Sequence, residues 1–420
     1  MIPELFASAA GVLFIVAFAY AVAPTLRQIG VMRGGQSLRK EAADTACSGR
    51  VIIKISIAFF ITRLAIYLYA YLLCDASGAA QNGFFGSMAQ IWTKSDAPHY
   101  LGLAKNGYVT IGDPRFHIVF FPLYPMLTAM AETILGDYFV SGIVVSNICM
   151  LVCCIYLYKL ALGEGLDTKA SFRAVLLVLV APAAFFQLGP FSESLFLMLC
   201  VLCLYFMRQK RFVIAGLYGM LAAFTRSLGV LLAVPLILEC LSQGLPEGIR
   251  SMRVRLLIRR VWPAMLVPLG TFFYLLVNRI VTGNWLQFLI YQKEHWNQSF
   301  GNFINTVHYL SAHAMQWDAA TSWVLGWPQI LSIFIALIII LVGIRRIRPV
   351  LSAYSLTYFF VAIAPTWLLS APRYLMCDVP AYLTLAKLTR RKWAFALLVG
   401  LSCFALLYLC GAFVLGYKVY

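Results

Sequence analysis

Residues 92–125 read WTKSDAPHYLGLAKNGYVTIGDPRFHIVFFPLYP and gather Asp96, His99, Lys105, Asp113, Arg115 and His117 between apolar flanks. A carboxylate three residues from an imidazole has the chemistry to take a proton from a hydroxyl. Both groups also have plain readings. Asp96 precedes Ala97 and Pro98, a helix start signal, so its carboxylate serves equally as an N-cap. A lone His99 is more often a satisfied polar group than a reactive one.

Three further charges sit inside apolar sequence, where charge is costly and marks either function or a buried pair. Glu193 lies between two serines just after Gly189 and Pro190, and Arg226 interrupts a long apolar run. Arg373 follows Pro372 and precedes Tyr374. Two arginines facing one cavity suit a phosphate, which guanidinium binds bidentately. The competing arrangement is structural, with Glu193 favouring its helix N-terminus and Arg226 paired to it. Lys293 and His295 stand beside Tyr291 and Trp296, as interfacial belt residues or as aromatic faces that hold a sugar. No D-x-D pair is present and acids are too sparse for a carboxylate cage, so no metal is expected. No phosphate-binding glycine loop follows a strand, which speaks against a nucleotide-driven machine.

The elements that must position these residues are membrane helices. Of 420 residues, 62% are hydrophobic and 12% charged, against roughly 25% charged in soluble domains. Mean hydropathy is +0.84. Apolar runs recur at lengths that helices use to cross a bilayer, and alternating ten-residue strands are absent, which excludes an outer-membrane barrel. The first run, without a basic region or small-residue cleavage site, reads as a retained helix. The charge of +17, from 33 Lys and Arg against 16 Asp and Glu, falls in short loops, as orientation signals and anionic-lipid contacts do, and not as a nucleic-acid surface. Most of the eleven cysteines lie in apolar segments as small hydrophobes, without zinc-ligand spacing.

Basic clusters at residues 27–54, 159–173, 208–211, 250–260, 345–348 and 387–392 set the topology if all face the cytoplasm. Spans are then expected over residues 3–24, 51–74, 140–158, 261–281, 329–344, 350–369, 374–386 and 393–415. Residues 174–207 and 212–241 each have to form a hairpin of short helices, and residues 120–135 a juxtamembrane or re-entrant helix. This makes about 12 crossings in one membrane domain, with extracytoplasmic loops at 75–118 and 282–327. The hairpin tips carry Glu193 and Arg226, and the corner at 370–374 carries Arg373. All converge with Asp96 on the extracytoplasmic face, where glycine and proline interrupt helices around a polar cavity.

Five ordered motifs, DAPHYLGLAKNGY, FFPLYP, PAAFFQLGPFSESLF, AAFTRSLG and SAPRYL, resemble those of the second mannosyltransferase of GPI-anchor synthesis and its prokaryotic relatives, in the glycosyltransferase C (GT-C) superfamily. The resemblance runs over residues 92–380; only the helix at residues 1–26 looks like an addition. It implies a GT-C bundle with an extracytoplasmic site, and inverting, metal-independent transfer of a sugar, typically mannose, from a polyprenyl-phosphate donor. The acceptor is a hydroxyl of a lipid-linked or cell-envelope glycan. By motif, Asp96 matches the first-loop carboxylate of the superfamily and is expected as general base, and His99, Glu193, Arg226 and Arg373, with Tyr374, are expected to bind substrate. Lys293 and His295 in the second loop are expected to bind substrate from their place beside aromatic residues. Ser95 stands where the family has tryptophan. The lipid tail is expected between the hairpin helices. A bacterial plasma membrane is preferred, or the endoplasmic reticulum in a eukaryote. The reading from another class is a transporter or flippase of lipid-linked glycans, which inverted repeats would favour.

Overall fold

Inside a bilayer only backbone that satisfies its own hydrogen bonds is tolerated, so the apolar runs become helices. The computed structural model describes residues 2–29, 47–80, 83–242, 254–417 and 419. Arg33, Arg39 and Lys40 of the first basic cluster, and Arg250 and Arg253 of the fourth, lie outside the described residues. Helices α1 (Ile2–Gln28) and α2 (Gly49–Ala76) are long spans. The first loop is itself mostly helical, with α3 (Gly83–Trp92), α4 (Ala97–Asn106) and a 3-10 turn at Asp113–Val119. A bend of 111° joins that turn to α5 (Leu123–Leu135), the geometry of either a broken span or the re-entrant helix expected of residues 120–135.

The long span α6 (Tyr138–Gly163) follows, opened by Asp137, whose carboxylate accepts from the Val140 amide at 2.7 Å. Residues 174–207 and 212–241, expected as hairpins, are each two short helices separated by a break. The first holds α7 (Thr168–Leu179) and α8 (Glu193–Arg208), and the second α9 (Phe212–Thr225) and α10 (Ala233–Ser242). In the first, α7 packs on α6 and on the later helix at Val379–Leu388, and α8 on α6 and α9. Helix α11 (Val254–Val261) feeds α12 (Leu266–Thr282). The second loop, expected over 282–327, holds α13 (Gln287–Trp296) and α14 (Phe303–Gln316) and stops earlier, at Asp318. There the carboxylate accepts from the Thr321 amide at 3.0 Å, starting α15 (Ala319–Thr321). A π-helical stretch at Ser322–Gly326 carries the helix into α16 (Trp327–Gly343), past Pro328, which has no N–H to donate. The chain ends with α17 (Pro349–Ile363), α18 (Ala371–Leu375), α19 (Val379–Leu388) and α20 (Lys392–Val414).

Among the described residues, six helices are long and apolar enough to cross a membrane, or seven if the bent pair around α5 is one span. The expected count of about 12 is therefore not reproduced by length. The reason is that α7 to α10, α17 and α19 are short helices that stop at breaks, and fewer than about 18 residues do not reach across ~30 Å.

The main core packs α6 against α8, α8 against α9, and α9 against α12. Glycine sets how closely the last pair crosses. A Cβ on Gly270 would lie 2.0 Å from the Met220 carbonyl oxygen, backbone that cannot move aside. Gly270→Ala is therefore expected to separate α9 from α12 and to cost about 1–3 kcal/mol, measured as a lower unfolding temperature in detergent. A second core joins α1 to α14, α16 and α17. The N-terminal helix is thus built into the bundle through a stripe of Ala7, Ala10, Gly11, Ala17 and Ala21.

At the basic end of the bundle, Arg348 forks onto Glu164 at 2.6 and 2.8 Å and reaches Glu239 at 2.7 Å. Arg208, the last residue of α8, joins Glu164 at 3.6 Å. Arg348→Ala would leave two buried carboxylates without this partner, and a loss of about 3–5 kcal/mol is expected. Thermal unfolding of the purified variant checks it. Glu193 is the first residue of the same helix α8, so the site described next lies at the other end, about 24 Å away.

Candidate active site

The break between α7 and α8 makes the site possible. Pro182, Gly189 and Pro190 stop regular helix, leaving backbone carbonyls without helical partners at membrane depth. Side chains supply the missing donors. Tyr67 reaches the Leu188 carbonyl at 2.8 Å, Ser194 the Gln187 carbonyl at 2.9 Å and Ser146 the Phe191 carbonyl at 3.2 Å. Glu193 then opens α8 fully buried. Arg226 breaks the second hairpin in extended conformation, with φ −154° and ψ 148°. Gln329 holds the third corner by donating to the Leu369 carbonyl at 2.6 Å, and Tyr358 donates to the Tyr374 carbonyl at 2.9 Å.

Four charges meet there. Arg373 forms an ion pair from Nη1 to Asp96 Oδ2 at 2.6 Å and donates from Nε to Glu193 Oε1 at 2.5 Å. Its guanidinium carbon lies 4.5 Å from the centre of the Phe186 ring. Arg226 pairs with the same Glu193 oxygen and donates to Ser192 Oγ at 3.1 Å, with Tyr374 under its guanidinium at 5.5 Å. Tyr100 closes the ring, its hydroxyl 2.8 Å from Ser192 Oγ. The pairing of Arg226 with Glu193 is thus realised, and two guanidiniums balance two carboxylates. Asp96 occupies the N-cap position of α4 but makes no cap hydrogen bond, so the cap reading gives way to the pair with Arg373. It is also the open member, with 28% of its side chain exposed against 1% for Glu193.

Several polar atoms here have no partner. Arg373 Nη2, Glu193 Oε2, Ser95 Oγ and Trp92 Nε1 are buried and make no hydrogen bond. Ser95 holds a left-handed φ of 55°, rare for a residue with a Cβ,. It turns the chain so that Trp92 is fully buried beside Phe413 while Asp96 faces Arg373. An unfilled guanidinium N–H next to an unfilled carboxylate oxygen offers both a donor and an acceptor to one polar ligand.

Above this cluster the two loops meet through rings. His99 Nδ1 lies 2.9 Å from His117 Nε2, a hydrogen bond that requires one imidazole to accept and therefore to be neutral. Burial pushes His99 below its ordinary value, with Asp96 opposing and His295 adding to the fall. His99 stacks on Phe120 at 4.9 Å, and Trp296 approaches its edge at 6.2 Å. His295 stacks on Phe116 at 4.4 Å. Lys293 sits exposed on α13, with no hydrogen bond or ion pair to the charged cluster. Tyr100 and Ser192 are part of the network but are not among the expected site residues; the cue in the sequence is that each lies in one of the ordered motifs, directly beside His99 and Glu193. Among the described residues, no group of three or more His, Cys, Asp or Glu gathers as metal ligands. All eleven cysteines are unpaired, nine of them buried.

Residues 72–277 match the model of the mannosyltransferase (PIG-V) family, just under half of the chain. Asp96, Glu193 and Arg226 fall inside the match, and Arg373 beyond it. No curated protein matches. Among solved structures, ArnT from Cupriavidus metallidurans bound to undecaprenyl phosphate is similar at 14% identity and a TM-score of 0.50, over 85% of this chain and 63% of that one. The same protein in the apo state gives 15% identity and 0.47, over 74% and 60%. The Archaeoglobus fulgidus oligosaccharyltransferase gives 14% and 0.42, over 85% and 56%. The chain thus spans less than two thirds of the length of the structures it resembles. The chain is thus an all-helical membrane protein that resembles the mannosyltransferase (PIG-V) family over residues 72–277 and shares the fold of ArnT.

Proposed function

We propose that the chain moves a sugar, mannose, from a polyprenyl-phosphate carrier to a hydroxyl of a lipid-linked or cell-envelope glycan, with inversion and at the extracytoplasmic face. The observation that carries the reading is the unfilled Nη2 of Arg373, on the residue paired with the partly exposed Asp96, while its chain neighbours Pro372 and Leu375 border an apolar groove. That groove, about 650 Å³, is lined by Leu177, Ala181, Leu331, Pro372, Leu375 and Tyr408 among others. Pro372 and Leu375 line the groove and flank Arg373 in the chain, which supports a lipid tail in the groove with its phosphate at that corner. The groove uses α7 from the first hairpin with α16 and α18 to α20, a different place from the one expected between the two hairpins.

In the step itself, the acceptor oxygen forms a bond to C1 as the bond from C1 to the phosphate oxygen breaks. The proton of the acceptor hydroxyl goes to Asp96, and the electron pair of the broken bond goes to the polyprenyl phosphate. That leaving group is already a stable anion and needs no general acid. It needs positive charge, which Arg373 supplies through Nη2 while Arg226 offsets the Glu193 carboxylate. Glu193 holds both arginines in place, and the wall of His99, Phe120 and Trp296 receives the face of the sugar ring, with Lys293 and His295 at its rim.

The test is a transfer assay with purified protein, radiolabelled polyprenyl-phosphate mannose and a membrane glycolipid extract. A labelled glycolipid product is expected. Movement of intact carrier across vesicles with no product would replace this reading by a flippase.

A further inference from the structure

At the basic end, opposite the charged cluster, a second cavity of about 620 Å³ lies between the turn after α8 and the start of the α12 span. Lys210 and Arg211 line it from one side and Arg259, Arg260 and Trp262 from the other, with Cys240 of α10 alongside. Four of its ten lining residues are cations, and none of the described lining residues is acidic. The turn is unusual in itself, because Lys210 takes a left-handed φ of 61°, a conformation a side-chain-bearing residue adopts rarely. Around the mouth, apolar groups face outward: Val213, Ile214, Ile258 and Trp262 are all exposed.

Each feature has the same physical reading. Lys210, Arg211 and Arg259, sharing one cavity, repel, and an anion that enters removes the repulsion,. An exposed tryptophan with aliphatic neighbours is what interfacial depth favours. Basic pockets between spans on the positively charged side of a membrane protein take anionic head groups. A lone surface cluster of lysines would not have the cavity, and a purely aqueous phosphate site would not have the apolar fringe.

We propose that this cavity binds the phosphate head group of an anionic glycerophospholipid, with its acyl chains along Val213, Ile214 and Ile258. The site is separate from the sugar-transfer site and does not depend on the proposed reaction. It ties α8 and α9 to the start of α12 through a bound lipid, at the end of the bundle where the basic loops cluster.

The test uses the purified full chain in detergent, titrated with phosphatidylglycerol, with phosphatidylcholine of the same acyl chains, and with inorganic phosphate, and read by native mass spectrometry. Phosphatidylglycerol is expected to stay bound where phosphatidylcholine is lost, and millimolar inorganic phosphate should not displace it. The triple variant K210Q/R211Q/R259Q is expected to retain phosphatidylglycerol at least about tenfold less well. Equal retention of the two lipids, or unchanged retention in the variant, overturns the proposal. Displacement by inorganic phosphate also overturns it, in favour of a soluble phosphate ligand. Because the variant has to fold to be informative, a photoreactive phosphatidylglycerol is also cross-linked to the unaltered protein. Labelled peptides are expected to cover residues 210–214 or 258–263, and labels confined elsewhere count against the site.

Discussion

Asp96→Asn is expected to lower the transfer rate by about 10²–10⁴-fold while the protein still accumulates and still binds its lipid donor. The substitution is nearly isosteric. The amide keeps the shape of the carboxylate that lies 2.6 Å from Arg373 Nη1 but not its charge, so the ion pair between α4 and α18 is reduced to a polar contact. What disappears is the capacity to take the proton of the acceptor hydroxyl. Asp96 is the only one of the two clustered carboxylates with room for that task, since Glu193 is wholly buried and already bonded to both arginines. Transfer measured in membranes beside donor binding separates the two roles. Near-normal turnover in the Asn variant would remove Asp96 as the base and return it to a partner of Arg373.

Arg373→Ala is expected to do damage of two kinds. Arg373 is the single bridge between Asp96 and Glu193, so its removal leaves a buried carboxylate with one cation in place of two. Breaking such a pair costs about 3–5 kcal/mol, and the leaving phosphate loses a donor worth about 10²–10³-fold in rate. Arg373→Lys separates these effects. Lysine keeps the charge but concentrates its three donors on one nitrogen, without the planar fork that spans two carboxylates in fixed directions. The Lys variant is expected to fold, to bind the lipid donor more weakly and to bind acceptor unchanged. Donor affinity equal to that of the unaltered protein would make Arg373 a structural bridge only. Arg226→Gln should be milder in stability, because Arg226 holds one carboxylate and sits at the edge of the cluster.

Much of the architecture was legible because bilayer physics leaves few options. Helix breaks at Pro182, Gly189 and Pro190, at Arg226, and at the corner before Arg373 appear where proline, glycine or a charge interrupts apolar sequence. Basic clusters mark one end of the bundle, and α8 runs from Glu193 at the site to Arg208 among them. Counting crossings worked less well, because a charge pattern separates segments without measuring whether each is long enough to span. The second loop ended early for a local reason, the Asp318 cap and the π-helical stretch that carries the chain past Pro328. The first helix, which looked like an addition, is packed into a core of its own through small residues.

The sequence by itself determined that this chain lives in a membrane, where its helices break, and which four charges are too costly to lie idle there. It also carried the ordered motifs that link it to the mannosyltransferases. Only the tertiary structure decided how those charges are partnered. Asp96 has the position of a helix cap and the bonding of an ion pair; Glu193 collects two arginines separated from it by 33 and 180 residues; and Arg373 keeps one N–H unfilled. Local sequence specifies backbone breaks through φ, ψ and missing donors, which are short-range properties. Pairing across the bundle depends on which half-helices end at the same depth, and that is settled only when the whole core packs.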